Sequence, residues 1–156
     1  MIRVVTAEAR ETMDIGRKIG EAARSLTACF SIALTGDLGT GKTCFVQGLA
    51  RGVGVKKGYY ITSPTFNIIN EYPGEKRLCH LDLYRLSEAD ELDYIGFEDI
   101  LGDDAVVAVE WPDLLAETGF EFDIEIRLEF DKDFNRIISL FPSGQQGSNL
   151  LSNVSL

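Results

Sequence analysis

Eight consecutive residues, Gly36-Asp37-Leu38-Gly39-Thr40-Gly41-Lys42-Thr43, have the types and spacing to handle a polyphosphate. They satisfy the P-loop pattern G-x-x-x-x-G-K-[ST] at every fixed position. Three glycines let the backbone curl with its N–H groups inward, so the loop and the following helix N-terminus form a concave anion site. Lys42 then reaches the β and γ phosphates, and the Thr43 hydroxyl is placed to ligate Mg²⁺.

Phosphoryl chemistry beside such a loop also needs a carboxylate to hold the metal or orient water. Two acids qualify by position. Asp82 closes the β-rich run 77–83, and Glu110 follows directly on Ala105-Val106-Val107-Ala108-Val109. Spacing alone leaves open which of them orients the attacking water. Thr62-Ser63-Pro64-Thr65-Phe66 places three hydroxyls around a proline, either as a polar turn or as a loop that closes on Mg²⁺ or the γ-phosphate. His80 shares a strand face with Asp82, and a lone histidine there reads as packed or hydrogen-bonded rather than catalytic. Trp111 fits a core ring, a nucleotide-facing ring or a partner contact. Arg85 fits a structural ion pair, a partner contact or a catalytic finger.

The elements that must carry these groups are legible in outline. Ser31 to Thr35 is an apolar run before the loop, and Cys44 to Ala50 is a helix-forming run after it, giving the order strand, loop, helix. Arg3-Val4-Val5 reads as a short strand. Thr6 then caps a helix to about Arg24, with Ile15, Ile19, Ala22 and Leu26 on one stripe. Residues 66–72 and 77–83 flank Pro73-Gly74-Glu75-Lys76 as a hairpin. Ser87 starts a short acidic helix that Gly96 stops. Residues 105–109 read as a strand buried on both faces. Residues 123–130 alternate, with Ile124, Ile126, Leu128 and Phe130 inward, and pair with 136–141 as a hairpin at the sheet edge. The expected fold is α/β, a three-layer P-loop domain over residues 1–142 with a mixed sheet and the P-loop strand near its centre. The Ser-, Gly-, Gln- and Asn-rich segment 143–156 is expected to be a flexible tail.

A chain of 156 residues with 45% hydrophobic content suits one core. No apolar run approaches membrane-spanning length, so a cytoplasmic protein is expected. Cys29, Cys44 and Cys79 lack a C-x-x-C pair and read as buried reduced thiols. The net charge of −10 opposes tight unaided binding of a phosphate backbone. The charge is uneven: residues 1–57 carry nine bases against five acids, whereas residues 88–104 carry eight acids and no base. That run reads as a solvated face or as a docking surface for a basic partner.

Several segments in order, GDLGTGKT at 36–43, TSPTF at 62–66, HLDLYRL at 80–86, ELDYIGFEDIL at 91–101 and VEWPD at 109–113, resemble the TsaE (formerly YjeE) family. These are small bacterial ATPases of tRNA threonylcarbamoyladenosine biosynthesis. The resemblance implies ATP and Mg²⁺ as cofactors and TsaB-like and TsaD-like proteins as partners. The implied role is accessory, in placing a threonylcarbamoyl group on adenosine 37 of tRNAs reading codons that start with A, with tRNA met mainly through the complex. By position it implies phosphate binding by Gly36 to Lys42, Mg²⁺ on Thr43 and Glu110, Thr65 in a switch loop and Asp82 near the nucleotide or its water. Thr6 and Lys132 are further implied nucleotide contacts.

Rival readings are a small-molecule P-loop kinase, a GTPase and a nucleotide-dependent binding module. The kinase lacks an arginine cluster for its lid after residue 85, and Asp131-Lys132-Asp133 does not supply the guanine-reading pattern of a GTPase.

Overall fold

The computed structural model describes residues 1–102 and 104–156. In chain order the elements are β1 (Ile2–Thr6), α1 (Ala9–Arg24), β2 (Phe30–Thr35), α2 (Lys42–Gly52), β3 (Ile69–Tyr72), β4 (Arg77–Asp82), α3 (Glu91–Tyr94), α4 (Phe97–Gly102), β5 (Ala105–Glu110), α5 (Asp113–Glu117), β6 (Ile124–Phe130), β7 (Arg136–Pro142) and α6 (Gly144–Ser152). Seven strands form one sheet in the order β1-β7-β6-β2-β5-β4-β3. β2 runs parallel to both β5 and β6, and β5 parallel to β4, while β3, β7 and β1 join antiparallel. The sheet is mixed, with the P-loop strand β2 at its middle.

Two cores lie on the two faces. Ile15 and Ile19 of α1, Phe45, Val46 and Leu49 of α2, and Leu150 and Leu151 of α6 pack on one face, against Ile32, Leu34, Leu78, Val106 and Ala108. Leu92, Phe97, Ile100 and Leu115 cover the other face, against Leu81, Val107 and Val109. Strand alternation therefore points His80 and Asp82 of β4, and Glu110 of β5, toward the α1–α2 side. That is the side on which the P-loop helix starts.

The crossing of α1 and α2 is tighter than side-chain packing permits. A Cβ added at Gly48 would strike the Met13 carbonyl oxygen, and one at Gly16 the Phe45 carbonyl oxygen. Backbone touches backbone, which fixes the α2 N-terminus, and with it Lys42, against the rest of the fold.

Several expectations change. Residues 143–156 are not a loose tail. Their polar residues make a helix, and its Leu150 and Leu151 supply enough apolar contact to dock it, while Gln146 Nε2 donates to the Cys29 carbonyl at 2.8 Å. Thr6 does not cap α1: it ends β1 and its hydroxyl bonds Thr12 at 2.9 Å. Glu8 is the cap residue instead, with the Glu11 carboxylate accepting from the Ala7 and Glu8 N–H groups at 2.7 and 3.1 Å. Those two bonds hold the Glu11 carboxyl below its ordinary range.

β6 is not at an edge, because it pairs with β2 and leaves the edge to β1. Phe130, expected inward, is 43% exposed where β6 outruns the core. β3 begins only at Ile69, since Pro64 to Ile68 form a turn closed by the Ile68 N–H on the Pro64 carbonyl at 2.7 Å. Of the three free cysteines only Cys79 is fully buried. The acidic run divides its work. Leu92, Phe97 and Ile100 face the core, Glu91 caps the Ser87 and Glu88 N–H groups, and Asp104 pairs with Lys76 at 2.6 Å.

Candidate functional site

The loop from β2 to α2 is shaped by positive φ angles at Gly36, Gly39 and Gly41. Gly41, at φ 106°, sits at the N-cap of α2, a conformation costly for a residue with a side chain. Thr40 Oγ1 donates to the Asp37 carbonyl at 2.8 Å and pins the loop to itself. The first N–H groups of α2 have no helical carbonyl to bond and are available to an anion.

Lys42 is folded inward. Its Nζ donates to the Gly36 carbonyl at 2.7 Å and to the Asp37 carbonyl at 3.0 Å, and lies 4.6 Å from the centre of the Trp111 ring. Burial pushes its ammonium below the ordinary value of 10.5, while Glu110, Asp82 and Asp37 pull the other way. An ammonium held on neutral carbonyls among nearby carboxylates can exchange those bonds for phosphate oxygens without moving its backbone.

Asp82 and Glu110 are register partners at the ends of β4 and β5, both almost wholly buried. Glu110 Oε1 lies 2.9 Å from His80 Nε2 and accepts from Thr43 Oγ1 at 3.4 Å. Asp82 makes different partners: Oδ2 accepts from Ser63 Oγ at 2.8 Å and Thr65 Oγ1 at 3.0 Å, and Oδ1 from the Tyr84 N–H at 3.1 Å. The hydroxyl turn is thus latched to one carboxylate while the P-loop threonine is joined to the other. A cleft of about 410 Å³ opens between them, walled by Gly39, Gly41, Lys42, Thr43, Ser63, Thr65, Asp82, Glu110, Tyr84 and Trp111.

Among the described residues no three His, Cys, Asp or Glu side chains are grouped to hold a metal. Mg²⁺ asks for less from a protein: one or two hard oxygen donors, with phosphate and water completing its shell. Thr43 Oγ1 and Glu110 Oε1, facing each other across the cleft, are donors of that kind. Asp104 lies elsewhere, beside Lys76, and the cleft draws its acids from β4 and β5 alone.

The sequence-derived residues divide into two groups. Gly36 to Thr43, Thr65, Asp82 and Glu110 come together at the cleft or its P-loop wall, with the Leu38 side chain outward. Thr6 and Lys132 do not line it; Thr6 is bonded to Thr12 and Lys132 is exposed at the β6–β7 turn. Sequence reasoning left three contributors unassigned. His80 is joined to Glu110, and its position two residues before Asp82 on one strand face was the available signal. Trp111, at φ 57°, turns its ring over Lys42 and toward Tyr84, with 5.1 Å between ring centres. Arg136 approaches Gly41, its Nε buried without a hydrogen-bond partner among the described residues, and no motif marks it. Arg85 is exposed and lies over the Phe66 ring at 5.8 Å, outside the cleft lining.

The family model for threonylcarbamoyl adenosine biosynthesis protein TsaE matches residues 6–138. The tRNA threonylcarbamoyladenosine biosynthesis protein TsaE of Treponema pallidum (strain Nichols) is 35% identical over 139 residues, covering 89% of this chain and 99% of that protein. The protein of the same name from Nostoc sp. (strain PCC 7120) is 35% identical, covering 97% and 93%. Among solved structures, YdiB of Bacillus subtilis resembles this chain with a TM-score of 0.79 at 28% identity, over 97% of this chain and 91% of that one.

Proposed function

The chain belongs to the TsaE family, and on that premise we propose that it is an ATP-binding, slowly ATP-hydrolysing accessory subunit of tRNA threonylcarbamoylation at adenosine 37. It acts in the cytoplasm with TsaD-like and TsaB-like proteins and does not itself transfer the carbamoyl group. The observation that carries the reading is the ammonium of Lys42 resting on the Gly36 and Asp37 carbonyls, opposite the Thr43–Glu110 pair.

In this reading the α2 N-terminal N–H groups and Lys42 bind the β and γ phosphates, and Lys42 trades its two carbonyl partners for phosphate oxygens. Mg²⁺, when bound through Thr43 and Glu110, neutralises charge on the same phosphates. His80 holds Glu110 in orientation from below. Asp82 orients the water, because Glu110 already shares the Thr43 hydroxyl that the metal needs. Release of Ser63 and Thr65 from Asp82 frees that carboxylate and lets the hydroxyl turn close on the γ-phosphate. Hydrolysis is thereby tied to a change in the turn, which suits a subunit that drives partners through cycles.

The test is Mg²⁺-dependent ATP hydrolysis by the chain alone, then with the two partner proteins and tRNA, beside Lys42→Ala. Slow turnover that rises with the partners and vanishes in the variant is expected. A rate indifferent to the partners overturns the accessory role. A rate unaffected by Lys42→Ala overturns the site.

A further inference from the structure

Alongside the C-terminal half of α2, a second cleft of about 420 Å³ is lined by Gln47 and Arg51 of the helix and by Lys56, Lys57, Tyr59 and Tyr60 in the segment that follows. Its charge runs against that of the molecule. The chain carries −10 overall, yet three cations meet here. Arg17, Arg24, Lys76 and Arg77 are each paired with an acid, whereas none of Arg51, Lys56 and Lys57 forms an ion pair with another described residue. Unpaired cations clustered on an acidic protein keep their full attraction for an external polyanion.

The aromatic part is built rather than loose. Tyr59 packs edge-on against Tyr72, with 6.3 Å between ring centres and the planes at 86°. Tyr72 Oη donates to the Tyr60 carbonyl at 3.4 Å, and Gln47 Nε2 donates from α2 to the Ile61 carbonyl at 3.1 Å. The carbonyls of Tyr60 and Ile61 are therefore tied to the fold, and Tyr59 is packed on Tyr72, while the Tyr60 ring stands 90% exposed. A solvent-facing ring on an anchored backbone beside three unpaired cations is what a nucleic-acid strand uses: the base stacks and the phosphates pair.

We infer that this groove binds a single-stranded segment of RNA, with the phosphate backbone on Arg51, Lys56 and Lys57 and an unstacked base on Tyr60. The choice of RNA rests on the proposed role in tRNA modification. The groove ends at Ile61, two residues before Ser63, whose hydroxyl bonds Asp82. Occupation of the groove thus reaches the nucleotide site through a stretch of only a few residues.

The test uses the full chain and a fluorescein-labelled single-stranded RNA 12-mer, read by anisotropy across a salt series. Three phosphate contacts give a log–log salt slope of about −2. The double variant Lys56→Glu with Lys57→Glu loses at least about 10-fold in affinity and flattens the slope. Tyr60→Ala loses about 10-fold with the slope kept, the loss of one stacked base. Arg10→Glu, on α1, leaves binding unchanged. RNA binding that is absent in the unchanged chain, or that survives both groove variants, overturns the inference. Binding of polyglutamate instead, lost in the double variant, overturns it in favour of an acidic protein surface. N-methylanthraniloyl-ATP binding on the same samples separates the two readings. If it is retained while RNA binding is absent, only the groove falls; if it is absent from the unchanged chain, the nucleotide site falls.

Discussion

His80 Nε2 stands 2.9 Å from Glu110 Oε1 at the bottom of the cleft, with the histidine ring wholly buried and its Nδ1 without a hydrogen-bond partner among the described residues. One nitrogen is committed to the carboxylate and the other to nothing. The ring is therefore held for what it does to Glu110, since a buried polar atom left unpaired costs about 1–3 kcal/mol.

Replacing His80 tests that commitment. His80→Ala removes the orienting bond and opens a cavity behind the carboxylate, so the Mg²⁺ concentration for half-maximal ATP hydrolysis rises about 10- to 100-fold, as losses of metal-orienting partners do. His80→Asn, which keeps a donor, recovers part of it. A Mg²⁺ titration at saturating ATP checks this. Equal loss in both variants with unchanged Mg²⁺ dependence reduces His80 to packing.

The two hydroxyls on Asp82 make an opposite prediction for the turn. Thr65→Val with Ser63→Ala removes both donors to Oδ2 and, among the described residues, leaves the carboxylate bonded only to the Tyr84 N–H. Free of its latch, the turn exchanges its amide protons faster over residues 62–67, and hydrolysis falls about 10-fold or more because neither of the two hydroxyls held on Asp82 remains to close on the phosphate. Hydrogen exchange and turnover are measured together. Unchanged exchange means that other contacts hold the turn.

Lys42 carries a pH dependence of known sign. Burial lowers its folded pKa below 10.5, so the unfolded chain binds more protons in the window just beneath that value, and stability rises with pH there. The charged form is a burden on the free protein. Lys42→Met is expected to melt at or slightly above the temperature of the unchanged chain, to lose the alkaline gain, and to show no ATP-induced shift. Thermal melts between pH 7 and 10, with and without Mg-ATP, decide it. A variant that melts several degrees lower would make the two carbonyl bonds of Lys42 a structural necessity.

Gly48 makes the simplest stability prediction. Its added Cβ would meet the backbone carbonyl of Met13, which cannot rotate away as a side chain would. Gly48→Ala pushes α1 and α2 apart and costs about 1–3 kcal/mol or more, a fall of roughly 2–12 °C in melting temperature for a chain of this size. Gly102→Ala serves as the control, since no other described residue has an atom within 4 Å of its added Cβ, neighbours in the chain and its own helix backbone aside. Equal melting of the two variants would show that the helices can part freely.

The sequence disclosed most where chemistry is local. Eight adjacent residues make the phosphate loop, and an unbroken apolar run makes β5, so Lys42, Thr43 and Glu110 needed no tertiary information to find. Contributions that depend on register across strands were hidden. Nothing near His80 announces Glu110, thirty residues away, and nothing near Arg136 announces Gly41. Alternation in residues 123–130, with the turn after it, gave the strand and its hairpin partner β7 but not its pairing with β2, which is fixed by a crossover. Composition misled at the C-terminal segment, where Leu150 and Leu151 outweigh the polar residues around them.

The sheet closes through a partnership between the two strands most distant in the chain, Ile2 opposite Leu140 and Thr6 opposite Arg136. A ribosome adding roughly 5–20 residues per second delivers residue 140 some seven to twenty-eight seconds after residue 2. Throughout that interval β1 has no place to go, since β7 does not yet exist and β6 must first seat itself beside β2. The helices α1 and α2, neighbours in sequence, have no such wait, and they can clasp around the newly made phosphate loop early. The nascent chain carries its whole P-loop with α1 and α2 well before the strand that pairs with β1, so a translational pause placed late would leave a bare strand edge and not an unfinished P-loop.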